Sequence, residues 1–590
     1  MLGKSLFPYD PDIIPMDEDF TLQMFLDNSI VDSASWQEFM PAGVTKAIFK
    51  NFIQYYDPEV FVAAGRRIRA VAKNADELVP TERVRRIAEL FSCFKNPDKE
   101  TVLTPWRVVN MHMSDCIGGY DFYDEKHEVV LENQPPRFVD QGQVTQDIFA
   151  NIDSRILEIN SKTGLYPLYV TYSLYRARLG ENTENDLSLN DLLILWDRTV
   201  QENIYVICKT PMAKSITKRT LVGFRNVSVN AHYFDDLINY LEHKPEKFLA
   251  RVLKCRYWNK GGGKMNFDAV VGNPPYQIET GGAGRQAKPV YNFFVEQGKN
   301  LSSHYLSMIT PSRWFSGGMG LDSFRDNMTS DAKVMRLFDY INAKDCFPQI
   351  SISGGVCYFL WNKKFEGDCT VVNVTNGKRN SLVRPMDEFQ VFVRYNDAVS
   401  ILHKILNHAG FEALDTVISP LMPFGLPTNY RGEKEKSKAK PLRLYASDTI
   451  TYIGRSEIEK GNELVDSYKV MMSKMSAEHA GEPNKEGMFN VFTKTMRILK
   501  PGEVCTHSYF LLGNYDNEDE ANGLLTYLKT KFVRFIVMTT LSAVNLSKLV
   551  FFNVPMQDFT KSWTDDKLYA EYNLNDDEIS FIESMIKPMQ

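Results

Sequence analysis

Phe267-Asp268-Ala269-Val270-Val271-Gly272-Asn273-Pro274-Pro275-Tyr276 is the stretch that decides the fold of this chain. The apolar run from Ala269 to Val271 reads as a buried strand. Two prolines then stop the strand and stiffen the backbone, since neither can donate to a sheet ladder. Asn273 is thereby presented just past the strand's carboxyl end, where open α/β sheets bind ligands. An aromatic ring follows three residues later. A proline-stiffened loop accounts for Pro274-Pro275, but gives no reason for Asn before the pair and Tyr after it.

The residue types suit one problem in particular, the methylation of an exocyclic amine on a planar ring. Such an amine is a poor nucleophile because its lone pair is delocalised into the ring. The Asn273 side-chain oxygen and a Pro-Pro carbonyl can each accept a hydrogen bond from it. Together they favour a more tetrahedral nitrogen with a directed lone pair. Tyr276 can stack on the base, which is worth roughly 1–3 kcal/mol. No strong general base is needed, because the proton becomes acidic once the methyl has transferred.

Working outward, 590 residues give room for two to four domains, and 44% hydrophobic with 24% charged residues is the balance of a globular protein. The eight cysteines are scattered without a C-x-x-C pair, which argues for reduced, cytoplasmic thiols and against a metal site or disulfide framework. Charge and proline interrupt residues 1–10, so no signal-peptide core is expected there, and no apolar stretch approaches a membrane span. The formal net charge of −6 does not advertise a nucleic-acid binder, yet a basic cleft can sit on an acidic protein.

Four regions follow. Residues 1–100 read as an N-terminal helical region, with helical spacing in Val44-Thr-Lys-Ala-Ile-Phe-Lys-Asn-Phe-Ile. Residues 101–365 alternate β-rich and helical runs and predict an α/β sheet domain, with strands around 155–159, 204–208, 269–271, 305–309 and 356–361. Residues 366–515 carry short strands and a charge-dense loop, Arg431-Gly-Glu-Lys-Glu-Lys-Ser-Lys-Ala-Lys-Pro. Residues 516–590 read as helical, with Asn575-Asp-Asp-Glu578 as a capping-box start. Residues 366–590 are expected to form one α+β domain with C-terminal helices.

Further motifs gain meaning from their order. Thr104-Pro105-Trp106 is a loop entering a helix. Ile156-Leu-Glu158-Ile-Asn160-Ser161-Lys162-Thr163-Gly164 is a strand whose turn opens a helix, and such a helix N-terminus offers free N–H groups to a carboxylate. An acid at the end of that strand suits the amino group of an amino-acid-like ligand. Asp235-Asp236 lies between this turn and Asn273, and Ile309-Thr-Pro-Ser-Arg-Trp-Phe315 follows another strand. Singly these are weak signals; the acidic pair taken alone is an ordinary solvated helix start.

In this order the motifs resemble those of the gamma-class DNA adenine-N6 methyltransferases of restriction–modification systems, in the branch with a fused C-terminal target-recognition domain. The resemblance runs from about residue 100 to the C-terminus and includes Phe347-Pro-Gln-Ile-Ser-Ile-Ser-Gly-Gly-Val356 and Pro423-Phe-Gly-Leu-Pro-Thr. It implies a Rossmann-like catalytic domain that uses S-adenosyl-L-methionine and flips the target adenine out of duplex DNA. By the same resemblance Asn273 and Pro274, followed by Pro275, hold the amine and Tyr276 stacks on the base. Glu158, Asn160 and Gly164 contact the methyl donor, Thr104 and Pro105 border its methionine end, and Asp235 or Asp236 lies near its adenine. Phe347 is a second stacking face.

Two departures stand out. Lys162 occupies a position that is glycine in the family's usual turn. The second strand ends in Cys208-Lys209-Thr210, without the acid that holds the ribose hydroxyls, so either another residue binds the ribose or affinity for the free cofactor is low. Two alternatives to an adenine methyltransferase stay open: a non-catalytic DNA-recognition subunit, and a protein or RNA methyltransferase, since glutamine methyltransferases share the Asn-Pro-Pro-Tyr loop. The C-terminal half favours DNA, because the loop after Tyr430 together with Lys469, Lys474 and Lys494 offers basic groups for phosphates, although Lys434 to Lys440 alone, with Glu433 and Glu435 interspersed, read as a solvated loop. No Gly-x-x-x-x-Gly-Lys-Ser/Thr is present, which argues against an ATP-driven motor, and no nuclease Asp…Glu-x-Lys cluster stands out near the N-terminus; nuclease or translocase subunits on separate chains are candidate partners.

Overall fold

The computed structural model describes residues 19–41, 43–95, 103–279, 287–350, 352–477, 483–484, 486–541 and 546–589. Residues 1–10, where no signal-peptide core was expected, lie outside them. The chain divides into two compact units, one of Met1–Ser312 with Gly318–Pro385, the other of Arg313–Gly317 with Met386–Gln590.

A nine-stranded sheet organises the first unit. Its strands are β1 (Ile156–Ser161), β2 (Ile204–Cys208), β3 (Asn230–Tyr233), β4 (Phe267–Gly272), β5 (Ser302–Pro311), β6 (Val334–Tyr340), β7 (Val356–Asn362), β8 (Cys369–Thr375) and β9 (Lys378–Arg384). The spatial order is β9-β8-β6-β7-β5-β4-β1-β2-β3. Strands β3-β2-β1-β4-β5 run parallel, whereas β7 is antiparallel to both β5 and β6. The expected α/β class and all five expected strands are present. The sheet continues past residue 365 to Arg384 through an Asn376-Gly377 hairpin, where both residues have positive φ (50° and 74°), as a tight type I′ turn requires.

Strands β1 and β4 are buried along almost their whole length, as parallel strands covered by helices on both faces must be. On one face Ala269 and Val271 join a core with the helices α1 (Trp106–Cys116) and α2 (Leu165–Leu179). The opposite face of β4 and β5 is met by Tyr291–Leu301. The chain passes from β1 outward through β2 to β3, then returns to place β4 on the other side of β1. The carboxyl ends of β1 and β4 therefore flank the point where the direction of winding reverses, which is where sheets of this type open a crevice.

The predicted helical region is present as Leu22–Leu26, Ser33–Phe39, Lys46–Phe52, Pro58–Ala75 and Pro80–Ser92. It belongs to the same unit as the sheet. Arg83 anchors it. The side chain is 1% exposed, pairs with Asp76, and donates to the carbonyls of Thr220 and Arg219 behind β2.

The second unit is α+β, as expected. Leu442–Tyr445 pairs with Ile450–Ile453 and with Glu503–Cys505, and Tyr468–Ser473 pairs with Arg497–Leu499 and Tyr509–Tyr515. Its helices include Glu518–Lys529, Lys531–Thr540 and a last one, Asp576–Met585, which starts with the predicted Asn575/Glu578 capping box. Among the described residues, no helix is long and apolar enough to cross a membrane.

Candidate active site at the strand crossover

Two tight turns meet at the crevice. After β1 the chain turns through Asn160, at φ 72°, and Gly164, at φ 76°, into the first residue of α2. A Cβ at Gly164 would lie 3.1 Å from both Thr217 Cα and Thr220 Cβ, so glycine is required by conformation and by packing. After β4, Gly272 lets the two strand ends approach: a Cβ there would stand 2.9 Å from the Ile159 carbonyl oxygen.

This closeness lets Asn160 Nδ2 donate to the Asn273 carbonyl oxygen at 3.2 Å. The Asn273 side chain is fixed from a third direction, because its Nδ2 donates to Thr104 Oγ1 at 2.8 Å, in the loop before α1. That bond sets the orientation of the amide. Its Oδ1 faces the site as a buried acceptor with no hydrogen bond among the described residues, and Asn160 Oδ1 and Glu158 Oε2 are in the same condition. Three buried acceptors without donors, on two adjacent strand ends, are costly unless a ligand satisfies them.

Glu158 is the most perturbed of the three. It is 5% exposed, and burial pushes its carboxyl up to about 8, against a small opposing pull from Ser161. A carboxyl in that state is neutral at pH 7 and ionises when a cation comes beside it. Tyr276 is half-buried, and its hydroxyl is buried. Burial holds that hydroxyl well above the usual tyrosine range; Asn273 is close enough to oppose this slightly, but lacks the geometry of a full bond.

Behind these groups runs a polar chain that links α2, α1 and β5. Ser307 Oγ donates to the Phe359 carbonyl, so its contact with His112 Nε2 (2.8 Å) must use the imidazole N–H. His112 Nδ1 is then the acceptor for the Tyr166 hydroxyl, also 2.8 Å away. Burial pulls His112 down to about 3, which keeps the ring neutral and suits this arrangement.

Two cavities border the β1 turn. One, of about 760 Å³, is lined by Thr104, Pro105, Trp106, Thr163, Leu165 and Phe347 among others. The second, of about 770 Å³, is lined by Asn160, Lys162, Lys209, Pro275 and residues of the N-terminal helices, including Trp36 and Glu38. The structure thus ties Thr104 and Asn160 to Asn273 by hydrogen bonds and sets Glu158 beside Gly272, while Gly164 opens α2 and Pro274, Pro275 and Tyr276 follow Asn273. Phe347 is 1% exposed and forms part of the wall of the first cavity. Asp235 and Asp236 are exposed after β3 and line neither cavity; Asp236 accepts from Asn239 Nδ2.

The site also contains residues that the motifs did not indicate. Glu38 and Trp36 come from a helix more than a hundred residues before β1, in a region without a motif. Nothing in the sequence of Ser33–Phe39 sets Glu38 apart from an ordinary surface acid.

In the second unit one expectation is corrected. Lys469, read as a basic group for phosphates, is fully buried and donates to the carbonyls of Val465, Ser467 and Lys500. Burial lowers it to about 8. Lys440 is held by Glu457. Lys434, Lys436, Lys438 and Lys494 are exposed. Trp314 and Phe315 of the Thr-Pro-Ser-Arg-Trp-Phe segment belong to this unit, where Phe315 packs against Phe392 and Arg394.

Residues 202–347 match the Eco57I restriction-modification methylase family. An uncharacterized adenine-specific methylase of Mycoplasma pneumoniae is 33% identical over 126 residues, which are 21% of this chain and 30% of that protein. The match therefore spans less than a third of the curated relative. Among solved structures, a nuclease-deletion mutant of the Type ISP restriction-modification enzyme LlaGI, in complex with a DNA substrate mimic, is 10% identical with a TM-score of 0.46, over 91% of this chain and 51% of that one. A DrdV–DNA complex is 11% identical with a TM-score of 0.41, over 91% and 64%. The Type IIL restriction-modification enzyme MmeI in complex with DNA is 9% identical with a TM-score of 0.38, over 75% and 73%. The resemblance to restriction–modification adenine methyltransferases is borne out by the family match and the adenine-specific relative.

Proposed function

We propose that this chain, whose residues 202–347 are those of a restriction-modification methylase, is a DNA methyltransferase that uses S-adenosyl-L-methionine to methylate the N6 amine of an adenine flipped from duplex DNA. The observation that carries the reading is the Asn273 amide, locked by Thr104 with a free acceptor oxygen at the carboxyl end of β4.

The residues present fit an amino-acid-bearing adenosyl cofactor. Glu158 is a buried carboxyl suited to an ammonium group, and the start of α2 offers N–H groups to a carboxylate. When bound, S-adenosylmethionine supplies an electrophilic methyl group. Asn273 Oδ1 accepts one hydrogen bond from the target amine and the Pro274 carbonyl is assigned the other, which redirects the nitrogen lone pair out of the ring. Tyr276 is assigned the stacking contact with the base, which offsets part of the few kcal/mol spent on flipping. His112 is neutral and committed to Tyr166 and Ser307, so it positions α2 rather than moving a proton. The amine's proton leaves to solvent after transfer.

Duplex DNA is the proposed partner, with any nuclease or translocase on a separate chain, and the cytoplasm is the proposed compartment. Residues 1–100 are proposed as the helical region, the sheet unit that runs on to Pro385 as the catalytic domain, in place of an end at residue 365, and the unit from Met386 as the target-recognition domain. The test offers unmethylated duplex DNA, RNA and a protein extract together to the enzyme with labelled S-adenosylmethionine. Label in the DNA alone is the expected result; label in protein or RNA refutes the assignment.

A further inference from the structure

We propose that Glu38, carried into the site by the N-terminal helix Ser33–Phe39, binds the ribose hydroxyls of the adenosyl cofactor in place of the acid missing from the end of β2. The inference rests on the adenosyl-cofactor reading above.

β2 ends in Cys208 and is followed by Lys209 and Thr210, so its own end offers no carboxylate. Glu38 stands at that place in space. Its Oε2 accepts from the Thr210 hydroxyl, and Thr210 in turn caps the helix Pro211–Val222 by accepting from Ala213 N at 3.2 Å. Ser35, one turn before Glu38, accepts from Met212 N at 3.2 Å. Two contacts from one short helix thus register Glu38 on the β2 turn.

The carboxyl is committed on one side only. Glu38 is 4% exposed, yet its Oε1 is a buried acceptor with no hydrogen bond among the described residues. It lines the 770 Å³ cavity that also holds Asn160 of the β1 turn and Pro275 of the Asn-Pro-Pro-Tyr segment. A ligand that spans the β1 turn at Asn160 and the β2 end at Lys209 passes through this space.

The chemistry selects a diol. A buried carboxyl oxygen without a donor is costly, and a hydroxyl of the diol supplies a neutral donor for the Oε1 that Thr210 leaves open. Lys162 and Lys209 share the cavity and suggest an anion at first sight, but a phosphate would meet the Glu38 carboxylate directly. Burial raises the Glu38 carboxyl, and Lys162, Lys209 and the Thr210 hydroxyl oppose this without reversing it. The N-terminal helices then complete the cofactor site rather than merely cap the domain.

The test is calorimetric binding to the full chain of S-adenosylhomocysteine and of its 2′-deoxy and 3′-deoxy analogues. Wild type is expected to bind the parent compound and to lose roughly tenfold to a hundredfold for at least one deoxy analogue, the range of a charge-assisted hydrogen bond. Glu38→Gln is expected to lose a similar factor for the parent and to stop discriminating. Equal binding of all three ligands by wild type overturns the proposal, as does Glu38→Gln binding and discriminating like wild type. Should that variant not fold, the wild-type series decides. No binding of the parent or of S-adenosylmethionine by wild type overturns the adenosyl-cofactor reading itself, and this inference with it.

Discussion

Asn273 donates its side-chain amide to Thr104 across 169 residues of sequence, at 2.8 Å. In this arrangement Nδ2 is held by Thr104, and Oδ1 is a buried acceptor without a partner among the described residues, free to accept from an amine. Thr104 is on this account a positioning residue as well as a wall of the neighbouring cavity.

Thr104→Val keeps the shape and removes the acceptor. The Asn273 amide is then free to rotate, and kcat is expected to fall roughly tenfold to a hundredfold, the scale of a misaligned reacting group, with little change in KM for DNA. Thr104→Ser restores the acceptor and most of kcat. A loss confined to KM in Thr104→Val contradicts the positioning role.

Glu158 gives a pH signature. Its folded value of about 8 lies above the ordinary 4.5, so the folded protein holds this proton where the unfolded chain has released it. The stability this confers is complete below about pH 4.5 and is lost as pH rises through about 8. Glu158→Gln removes the effect. The stability difference between variant and wild type is therefore expected to shift in favour of the variant across that window, by at most about 5 kcal/mol. Denaturant unfolding at a series of pH values measures it. In addition, binding of S-adenosylmethionine at pH 7 is expected to release close to one proton, seen as a dependence of binding heat on the buffer, and a flat profile in both experiments refutes the assignment.

The lysines of the second unit divide into two groups. Replacing Lys434, Lys436 and Lys438 by Ala is expected to weaken DNA binding without changing the methylated sequence, and to reduce the salt slope by up to about 3, since each contact releases about one counterion. Lys469→Ala is expected to lower the unfolding midpoint instead, because its ammonium satisfies three buried carbonyls. Unchanged DNA affinity in the triple variant removes the loop from the interface.

The sequence made some parts of this structure legible and hid others for identifiable reasons. Strands β1, β2, β4, β5 and β7 could be read because they are largely buried on both faces and each contains an apolar run. β3, with the sequence Asn-Ala-His-Tyr, and β9, with Lys-Arg-Asn-Ser-Leu-Val-Arg, are the edge strands, and their half-exposed polar residues carry no comparable signal. The hairpin between β8 and β9 left a trace in Asn376-Gly377 that the apolar pattern alone did not reveal. In the site, Asn273, Tyr276 and Glu158 could be read because each sits in a local motif at a strand end. Glu38 could not, because only the tertiary fold brings Ser33–Phe39 to β2. Lys469 misled for the complementary reason: a lysine's identity does not say whether backbone carbonyls have already taken its charge.

The central claim is that Asn273 presents an adenine amine for methylation. The most direct measurement incubates the enzyme and Asn273→Ala with labelled S-adenosylmethionine and unmethylated genomic DNA, and then identifies the labelled nucleoside. The account predicts label in N6-methyladenine with wild type, reduced roughly a hundredfold or more in the variant, while both proteins bind DNA alike. Label in another nucleoside, or N6-methyladenine formed equally well by the variant, contradicts it.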